Sequence, residues 1–440
     1  MIDIGKKCCG CNSCAQSCPK QCISMSEDNE GFLYPSVDTN LCVECHLCEK
    51  VCPVLNISSG QYPISCYAAK SPDEQIRKES SSGGIFSLLA QKIIENDGVV
   101  FGAAFNKKWE VVHCYTETLE GLNSLRGSKY VQSKIGNAYE QVKTFLKNGR
   151  LVLFSGTPCQ IAGLKTFLRK DYENLITLDF VCHGVPSPGV FRWYLQEQIY
   201  YYAARKSSKN SVFHSSILSI PQREIYFPDG VELDNVFFRD KRKGWKKFCF
   251  SLLFAEASAD GKKNTVSFSY VLNECKYLDG FFNDLYLRPC CYGCNFKGLR
   301  SGADITIGDF WNIHTYNRKW DDDKGVSCVI VQSKKGKELF SKTDSDTIEV
   351  PYDVITLRNP SINHSAKIDK TKREIFFAGQ NKEFSSLIDS LCKPSFKQRV
   401  YKEIYNLLEV VGLMRIIHLI SKRLCVYTLP FIVKVLTFAP

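Results

Sequence analysis

The chain has 440 residues, of which 44% are hydrophobic and 23% charged, so it can form roughly two or three domains with a sizeable core. This composition excludes a disordered protein, and 22 cysteines are too few for a disulfide scaffold. The formal net charge of +11 would suit an acidic partner. The first residues, MIDIGKKCCG, contain no apolar signal region, which predicts a reducing, cytoplasmic location.

Two copies of the pattern Cys-x2-Cys-x2-Cys-x3-Cys-Pro open the chain. This is the spacing of bacterial ferredoxins with two 4Fe-4S clusters, in which the fourth cysteine of each run binds the other cluster. A zinc site would not need the third cysteine of each run, and a reducing compartment disfavours disulfides. We therefore predict one cluster on Cys8, Cys11, Cys14 and Cys52, and a second on Cys42, Cys45, Cys48 and Cys18.

The iron-sulfur prediction changes the meaning of the net charge. Each cluster with four thiolates carries a charge of roughly −2 when oxidised. If the chain held a third cluster besides these two, the net charge would fall from +11 to about +5. A nucleic-acid partner is therefore disfavoured, and no recognition motif is present. The basic run 239–247 could instead receive an acidic ferredoxin or an anionic substrate, or could be a solvated loop.

The boundaries along the chain are marked by changes in composition. A polar linker at 56–63 separates a ferredoxin domain, 1–58, from a larger body that we divide into 64–148 and 149–395. The last part, 396–440, is predicted to be an apolar and basic helical tail. Its longest uncharged stretch, 424–433, is too short to span a bilayer and contains a proline. Contact with a membrane surface, packing against the body and pairing with a second copy of the chain remain open for this tail.

The body is predicted to be mixed α/β. Serines 80–82 should cap a helix that starts at Ile85, an antiparallel hairpin should cover 99–115, and a helix should cover 136–147. From residue 151 the pattern becomes strand (151–154), helix (159–169) and strand (175–181), which is typical of a βαβ unit. Residues 205–250 indicate a β-rich insertion with strands on both sides of the turn 228–230.

Two further cysteines follow the strands of the βαβ unit. Cys159 and Cys182 should lie close together, because loops at the carboxyl ends of neighbouring parallel strands converge. Cys291 and Cys294 could complete a set of four thiolates for a third 4Fe-4S cluster. The spacing alone also allows Cys159 and Cys182 to be small buried hydrophobic residues, or redox-active thiols.

A one-electron relay needs a two-electron acceptor, and flavin is the usual converter. Serine and glycine before a helix offer backbone N–H groups to a diphosphate, although capping alone explains such a pattern. The segment 126–133 adds cationic and hydroxyl donors. The predicted FAD-binding residues are Ser81, Ser82, Gly83, Gly84, Gly127, Ser128, Lys129, Tyr130, Gln132, Ser133, Gly156 and Thr157.

Five motifs in order resemble the beta subunits of coenzyme F420 hydrogenase/dehydrogenase and their bacterial relatives. They are SSGGIFS (81–87), GSKYVQS (127–133), SGTPCQIAGLK (155–165), CHGVPSP (182–188) and CYGCNFKGLRSGADITIGDFW (291–311). The resemblance implies an iron-sulfur flavoprotein with FAD, and it implies the third cluster on Cys159, Cys182, Cys291 and Cys294. The choice between Cys290 and Cys291 as a ligand stays open, with Cys291 preferred for its spacing to Cys294.

The predicted function is an oxidoreductase. A low-potential donor such as ferredoxin would pass electrons through the clusters to FAD, which would reduce or oxidise a small molecule. Lys129, His183 and Asp309 are the candidate catalytic groups, and His183 could alternatively support a cluster ligand. The main alternative is a subunit that only transfers electrons to a separate dehydrogenase or hydrogenase. A third alternative is an iron-sulfur sensor that binds nucleic acid, which would require salt-dependent affinity for DNA or RNA.

Overall fold

The computed structural model describes residues 2–60, 62–206, 224–257, 263–272, 274–311 and 313–393. The chain divides into two compact units, 1–388 and 389–440, and the fold described below is that of the first. The predicted tail, 396–440, lies outside the described residues. Within the described ranges, every helix is too short or too polar to span a lipid bilayer.

The described residues form a mixed α/β structure, as the sequence predicts. The helices are α1 Ser13–Ser17, α2 Leu47–Lys50, α3 Glu74–Glu79, α4 Ile85–Ile94, α5 Leu122–Leu125, α6 Ala138–Lys147, α7 Pro158–Leu168, α8 Pro188–Lys206, α9 Lys276–Phe282, α10 Ile313–Tyr316, α11 Lys334–Ser341, α12 Tyr352–Thr356, α13 Lys370–Ala378 and α14 Phe384–Cys392. The strands are β1 Ile23–Glu27, β2 Leu33–Val37, β3 Ser65–Lys70, β4 Val99–Phe105, β5 Val111–Thr116, β6 Val152–Gly156, β7 Leu175–Phe180, β8 Glu232–Asp240, β9 Cys249–Ala257, β10 Lys263–Val271, β11 Ile305–Asp309, β12 Ser327–Val331 and β13 Asp346–Glu349.

An eight-stranded sheet forms the centre of the body, in the order β13-β3-β12-β11-β7-β6-β4-β5. Its four middle strands, β11, β7, β6 and β4, are parallel, and the outer pairs are antiparallel. Alternate residues of a strand point to opposite faces. One face therefore packs against α4 and α11, and the other against α6 and α7. Because the parallel strands end at one edge, the loops that follow them meet there.

The predicted βαβ unit is confirmed, since β6 and β7 pair in parallel and α7 connects them. The hairpin of β4 and β5 is also confirmed. One local prediction is wrong. The N-cap of α4 is Gly84 in a left-handed conformation, with φ of 91° and no side-chain cap, so serines 80–82 do not cap this helix. The serine side chains are instead available to bond elsewhere.

The β-rich insertion exists, but it is shifted along the chain. Strands β8, β9 and β10 form an antiparallel sheet over residues 232–271, and residues 224–230 are irregular rather than one strand of a hairpin. Part of the predicted insertion, 207–223, lies outside the described residues. The Pro-Asp-Gly turn at 228–230 therefore leads into β8 and does not connect two paired strands.

The N-terminal cysteine-rich segment packs against the body within the same unit. Its β1–β2 hairpin and helices α1 and α2 surround the two cysteine runs. Arg373 of α13 donates from two guanidinium nitrogens to Glu30, at 2.7 and 2.5 Å. On the other side, the Asn12 side chain donates to the Gly136 carbonyl at 2.7 Å. Contacts of this kind fix the position of the cysteine runs relative to the sheet edge.

Candidate functional site

The two N-terminal runs form two separate thiol-lined sites, each of which combines cysteines from both runs. The inner cysteine site is a small cavity that Cys52 shares with the first run; its predicted ligands are Cys8, Cys11, Cys14 and Cys52. In the outer cysteine site, Cys18 joins the second run; its predicted ligands are Cys18, Cys42, Cys45 and Cys48. The structure therefore places the eight cysteines in the crossed arrangement that the spacing indicates.

The two sites differ in their exposure to solvent. All four cysteines of the inner site are buried, whereas Cys45 in the outer site is exposed and its three companions are half-buried. Leu41 and Val43, beside the outer site, are also more than half exposed, at 55% and 57%. The outer site is consequently the one that a soluble redox partner could approach most closely.

A third group of thiols lines a cavity of about 670 Å³, here called the sheet-edge cavity. Cys159 begins α7 directly after β6, and Cys182 follows β7 by two residues, so both lie where the parallel strands end. A 3-10 turn over Pro289–Gly293 brings Cys291 and Cys294 to the same cavity. The structure therefore brings together all four cysteines predicted for a third cluster.

Burial and crowding favour the neutral form of these thiols. Burial, and then the neighbouring Cys8 and Cys52, raise the pKa of Cys14 to about 12. Burial and Cys159 raise the pKa of Cys294 to about 11. Thiols this crowded cannot ionise together unless a cation compensates their charge. An iron-sulfur core fits such a donor set, because its irons would hold the thiols as thiolates.

The thiols are not arranged for a single metal ion. In the described ranges, no three His, Cys, Asp or Glu side chains converge in a geometry that would hold one ion. The cysteines surround cavities instead, as ligands of a larger group would.

Three cysteines that the motifs did not assign also line these cavities. In the outer site, the sulfur atoms of Cys22 and Cys18 are 3.3 Å apart. Cys290 lines the sheet-edge cavity beside Cys291. Cys9 is shared by two sites, because its thiol contacts Cys11 of the inner site and Cys159 of the sheet-edge cavity. The adjacent pairs Cys8-Cys9 and Cys290-Cys291 were the only sequence signals for two of these positions.

His183 also lines the sheet-edge cavity, next to Cys182. Its Nε2 lies 2.5 Å from a carboxylate oxygen of Asp284, and its Nδ1 lies 3.4 Å from the Ser361 hydroxyl. The imidazole edge packs on Phe281, which in turn stacks on Tyr130 with ring centroids 5.0 Å apart. An aromatic layer of Phe281 and Tyr130 therefore extends from His183 in the cavity wall to the predicted flavin segment, of which Tyr130 is a member.

Part of the predicted flavin set forms one polar group. The Ser81 hydroxyl oxygen accepts from the Ser128 backbone N–H at 2.7 Å and from its hydroxyl at 2.9 Å. Gly127, with φ of 82°, has open space where a side chain would be. Lys129 donates to two carbonyls of its own loop, and burial lowers its pKa to about 7. The segments around Ser81 and Ser128 thus meet, as a shared ligand would require.

Other members of the set have structural roles. Gly83 donates its N–H to the Ser327 hydroxyl at 3.0 Å, and a side chain there would collide with the Ala69 carbonyl at 2.5 Å. Gly84 caps α4, Gly156 ends β6, and Thr157 forms the capping box of α7.

Two polar residues of the set are also engaged inside the protein. Ser133 bonds to His113 and Gln160, whereas Gln132 donates to the Cys9 carbonyl at 2.9 Å. None of the twelve predicted flavin residues lines the sheet-edge cavity.

Asp309 ends β11 at the same edge of the sheet and forms an ion pair with Arg239 of β8. The Trp245 indole donates to the other Asp309 oxygen at 2.9 Å. The Arg239 side chain is 4% exposed, and its Nε and Nη2 groups have no hydrogen-bond acceptor in the part of the chain that the structure describes. The Tyr130 hydroxyl lies close by. The insertion therefore places a buried cation beside Tyr130, whose hydroxyl interacts both with the guanidinium and with Ser128.

The basic run 239–247 does not act as one surface patch. Arg239 is buried against Asp309, and the Lys241 ammonium donates to the carbonyls of Arg77, Ser82 and Lys324. Arg242 pairs with Asp240, and Lys246 pairs with Asp321. The run is basic, as the sequence indicates, but Arg239 and Lys241 bond to other parts of the chain instead of forming a charged surface.

Comparison with protein families identifies the body as well as the N-terminal segment. A 4Fe-4S dicluster domain matches residues 7–56. The coenzyme F420 hydrogenase/dehydrogenase beta subunit matches with its N-terminal profile at 66–139 and with its C-terminal profile at 149–206 and 229–351, together more than half of the chain. The chain belongs to this beta-subunit family. The resemblance expected from the motifs is thereby confirmed, and the family is one of oxidoreductase subunits.

One solved structure is similar to the chain over much of its length. It is a chain of the F420-reducing [NiFe] hydrogenase complex from Methanosarcina barkeri, with 20% sequence identity and a TM-score of 0.40. The similarity covers 74% of this chain and 96% of that one. A TM-score of this size supports no functional conclusion. No curated protein sequence matches the chain significantly.

Proposed function

We propose that this chain is an iron-sulfur flavoprotein oxidoreductase. Electrons from a low-potential donor such as ferredoxin enter at the outer cysteine site, pass through 4Fe-4S clusters to FAD, and reduce or oxidise a small molecule. The outer site takes Cys18, Cys42, Cys45 and Cys48 as ligands, and its exposure supports entry there. The inner site takes Cys8, Cys11, Cys14 and Cys52.

One observation carries the proposal: the three thiol sites form a continuous series that ends at the sheet edge. The outer and inner sites share the two cysteine runs, and Cys9 joins the inner site to the sheet-edge cavity through Cys11 and Cys159. Gly163 in α7 leaves room for this approach, because a side chain there would lie 3.0 Å from the Cys11 sulfur. Such a series has a direction, from the exposed surface to the edge where ligands of open α/β sheets bind.

The sheet-edge cavity would hold the third cluster on Cys159, Cys182, Cys291 and Cys294. Cys291 is preferred over Cys290 because its sulfur lies 3.5 Å from the Val185 backbone N–H, which can donate to a thiolate. Hydrogen bonds of this kind are typical around cluster sulfurs. Cys290 would then be a neighbour of the cluster and not a ligand.

FAD would bind beyond the aromatic layer, against the polar group of Ser81, Gly127, Ser128, Lys129 and Tyr130. Ser82, whose hydroxyl donates to the Val326 carbonyl at 2.9 Å, would shape the site indirectly. When bound, it would convert single electrons into two-electron chemistry. The orphaned N–H groups of Arg239 support this location, since a buried donor without an acceptor is costly unless a ligand satisfies it. Gly127 leaves open space at the same place. Gly83, Gly84, Gln132, Ser133, Gly156 and Thr157 would shape the site indirectly.

The three candidate catalytic residues would then have different tasks. Lys129, with a pKa lowered to about 7, could exchange a proton with a substrate at neutral pH. Asp309 would orient Arg239 rather than handle protons. His183 lies on the cluster side of the aromatic layer, so it would support the Cys182 loop through Asp284.

The proposal is tested by counting cofactors in the full chain after anaerobic purification. Iron, acid-labile sulfide and flavin are measured per chain for the wild type and for Cys291→Ser, with Cys290→Ser as the matched control. We expect about twelve irons and one FAD in the wild type, about eight irons in Cys291→Ser, and no loss in Cys290→Ser. Eight irons in the wild type would exclude the third cluster, and equal losses in both variants would contradict the ligand choice.

The second candidate is a subunit that transfers electrons without binding a substrate. It is favoured by the structural hydrogen bonds of Gln132, Ser133 and Thr157, which leave fewer groups for a flavin. Wild-type protein with a full iron content but no flavin, even after incubation with FAD, would support this candidate.

A further inference from the structure

Arg288 carries a positive charge at the junction between the N-terminal segment and the body. Its side chain is fully buried, with 0% exposure. Its Nε donates to the Cys8 carbonyl at 2.7 Å, one terminal nitrogen donates to the Leu33 carbonyl at 2.8 Å, and the other donates to the Gln132 side chain at 2.9 Å. Two partners therefore belong to the cysteine-rich segment and one belongs to the body.

The surroundings of Arg288 are built around its guanidinium group. It lies over the Tyr34 ring at 4.3 Å and over the Phe32 ring at 5.3 Å. Gly10, with φ of 71°, has no room for a side chain, because a Cβ atom would lie 2.8 Å from an Arg288 nitrogen. The glycine between Cys9 and Cys11 thus lets the guanidinium pack directly against the loop that carries the cysteines.

Arg288 has no carboxylate partner in the part of the chain that the structure describes. Among the described residues, no Asp or Glu forms an ion pair with it, although a buried cation is costly without a partner. Its position connects it to both thiol groups. The Cys8 carbonyl that accepts from its Nε belongs to a cysteine of the inner site, whereas Cys9, next to Cys8, and Cys290, two residues after Arg288, line the sheet-edge cavity.

We propose that Arg288 is the counter-charge shared by the inner cysteine site and the sheet-edge cavity, and that it tunes electron transfer between them. This inference rests on the proposed function, because it requires clusters in both places. A reduced cluster carries one more negative charge than an oxidised one, so a nearby cation favours reduction. When the inner cluster gives its electron to the cavity cluster, one becomes oxidised and the other reduced, and no bond or proton changes. Arg288 is a positioning residue and not a ligand.

The test is a reduction titration of the full-length protein, followed by electron paramagnetic resonance, for wild type, Arg288→Gln and Arg288→Lys. In Arg288→Gln we expect the reduced-to-oxidised ratio of the inner cluster at a fixed potential to fall at least tenfold, which is a shift of 59 mV for one electron. Arg288→Lys should shift the ratio less, because the charge remains while the forked hydrogen bonds are lost. An unchanged ratio in Arg288→Gln with full iron content would overturn the inference.

Two further variants distinguish the effect of the Arg288 charge from the effect of the contact between the cysteine-rich segment and the body. Gln132→Glu places a carboxylate beside an intact Arg288, so it should lower the same ratio even if Arg288→Gln does not fold. The double variant Arg373→Gln with Glu30→Gln removes another contact between the same two parts of the chain without changing the net charge, and it should leave the ratio unchanged. A similar fall in the double variant would assign the effect to docking and refute the electrostatic role.

The experiment also distinguishes this inference from the proposed function. Wild-type protein without iron at the inner site or the cavity would refute the proposed function itself. Wild-type protein with both clusters, whose potentials do not respond to Arg288→Gln or Gln132→Glu, would refute only the role of Arg288.

Discussion

The ion pair of Arg239 and Asp309 joins the β-rich insertion to the end of the central sheet, and Asp309→Asn tests its importance. The Arg239 and Asp309 side chains are 4% and 14% exposed, so water cannot solvate the guanidinium once its carboxylate partner is removed. Asparagine keeps an oxygen for the Trp245 indole, which now donates to Asp309 at 2.9 Å. The variant therefore removes the negative charge while it preserves shape. Breaking a buried pair in this way typically costs about 3–5 kcal/mol.

The assay is denaturant unfolding of the anaerobic protein, compared by midpoint and slope with a matched control. Glu95→Gln is suitable, because Glu95, whose side chain is 49% exposed, pairs with Lys92 at 2.7 Å on the surface of α4. That exposed pair should contribute less than about 1 kcal/mol. We expect a loss of about 3–5 kcal/mol in Asp309→Asn and a much smaller loss in the control.

Flavin content gives a second measurement on the same two variants. If Arg239 helps to bind FAD, Asp309→Asn should also retain less flavin per chain, because the guanidinium loses the group that orients it. The control should retain the wild-type amount. A loss of stability below about 1 kcal/mol in Asp309→Asn, equal to that of the control, would refute the account of a buried and essential pair.

Three further predictions concern other parts of the chain. Glu197 is fully buried, and burial raises its pKa from 4.5 to about 7, so its carboxyl favours the folded state only while protonated. This contribution is complete below pH 4.5 and is lost as the pH rises through 7, by about 3 kcal/mol, so Glu197→Gln should remove that loss in melting curves recorded across this range. Gly163→Ala should reduce the inner cluster content measured as iron, because its Cβ would lie 2.7 Å from the Cys11 Cβ. His183→Asn should keep the full iron content, since it removes no thiolate, but should change the spectrum of the cavity cluster by breaking the contact with Asp284.

Each of these predictions has an outcome that contradicts it. Melting temperatures of Glu197→Gln and wild type that change in parallel with pH would exclude Glu197 as the titrating group. For Gly163→Ala the matched control is Gly102→Ala, whose Cβ would meet its nearest neighbour at an ordinary 3.4 Å. Full iron in both would mean that α7 can move away from Cys11. Loss of iron in His183→Asn would show that the histidine supports the cluster more directly than its distances indicate.

The sequence predicted the parts of the fold that follow from local pattern. The βαβ unit could be predicted because its strands and helix have clear hydrophobic periods, and the crossed cysteine arrangement follows from motif spacing alone. The convergence of Cys159 and Cys182 follows from the rule that parallel strands end at one edge. These features depend on residues close together in sequence or on a general topological rule.

Features that depend on distant contacts could not be predicted. Arg288 precedes the motif 291–311 by three residues, but only the folded chain shows that it bonds to Cys8 and Leu33 more than 250 positions away. The serine-glycine segment predicts phosphate binding from its pattern, but only the folded chain shows that the Ala69 carbonyl leaves no room for a side chain at Gly83. Similarly, the basic run gave no sign that Arg239 would be buried against Asp309. The role of each of these side chains depends on a partner that is distant in sequence, and the pattern of a single sequence does not identify that partner.

The most direct test of the central claim is the stoichiometry of iron, sulfide and flavin in anaerobically purified full-length protein. The three thiol sites and the polar group around Ser128 predict about twelve irons, an equal amount of sulfide and one FAD per chain. About eight irons without flavin would contradict the account, because the sheet-edge cavity would then hold no cluster and the series would end at the inner site.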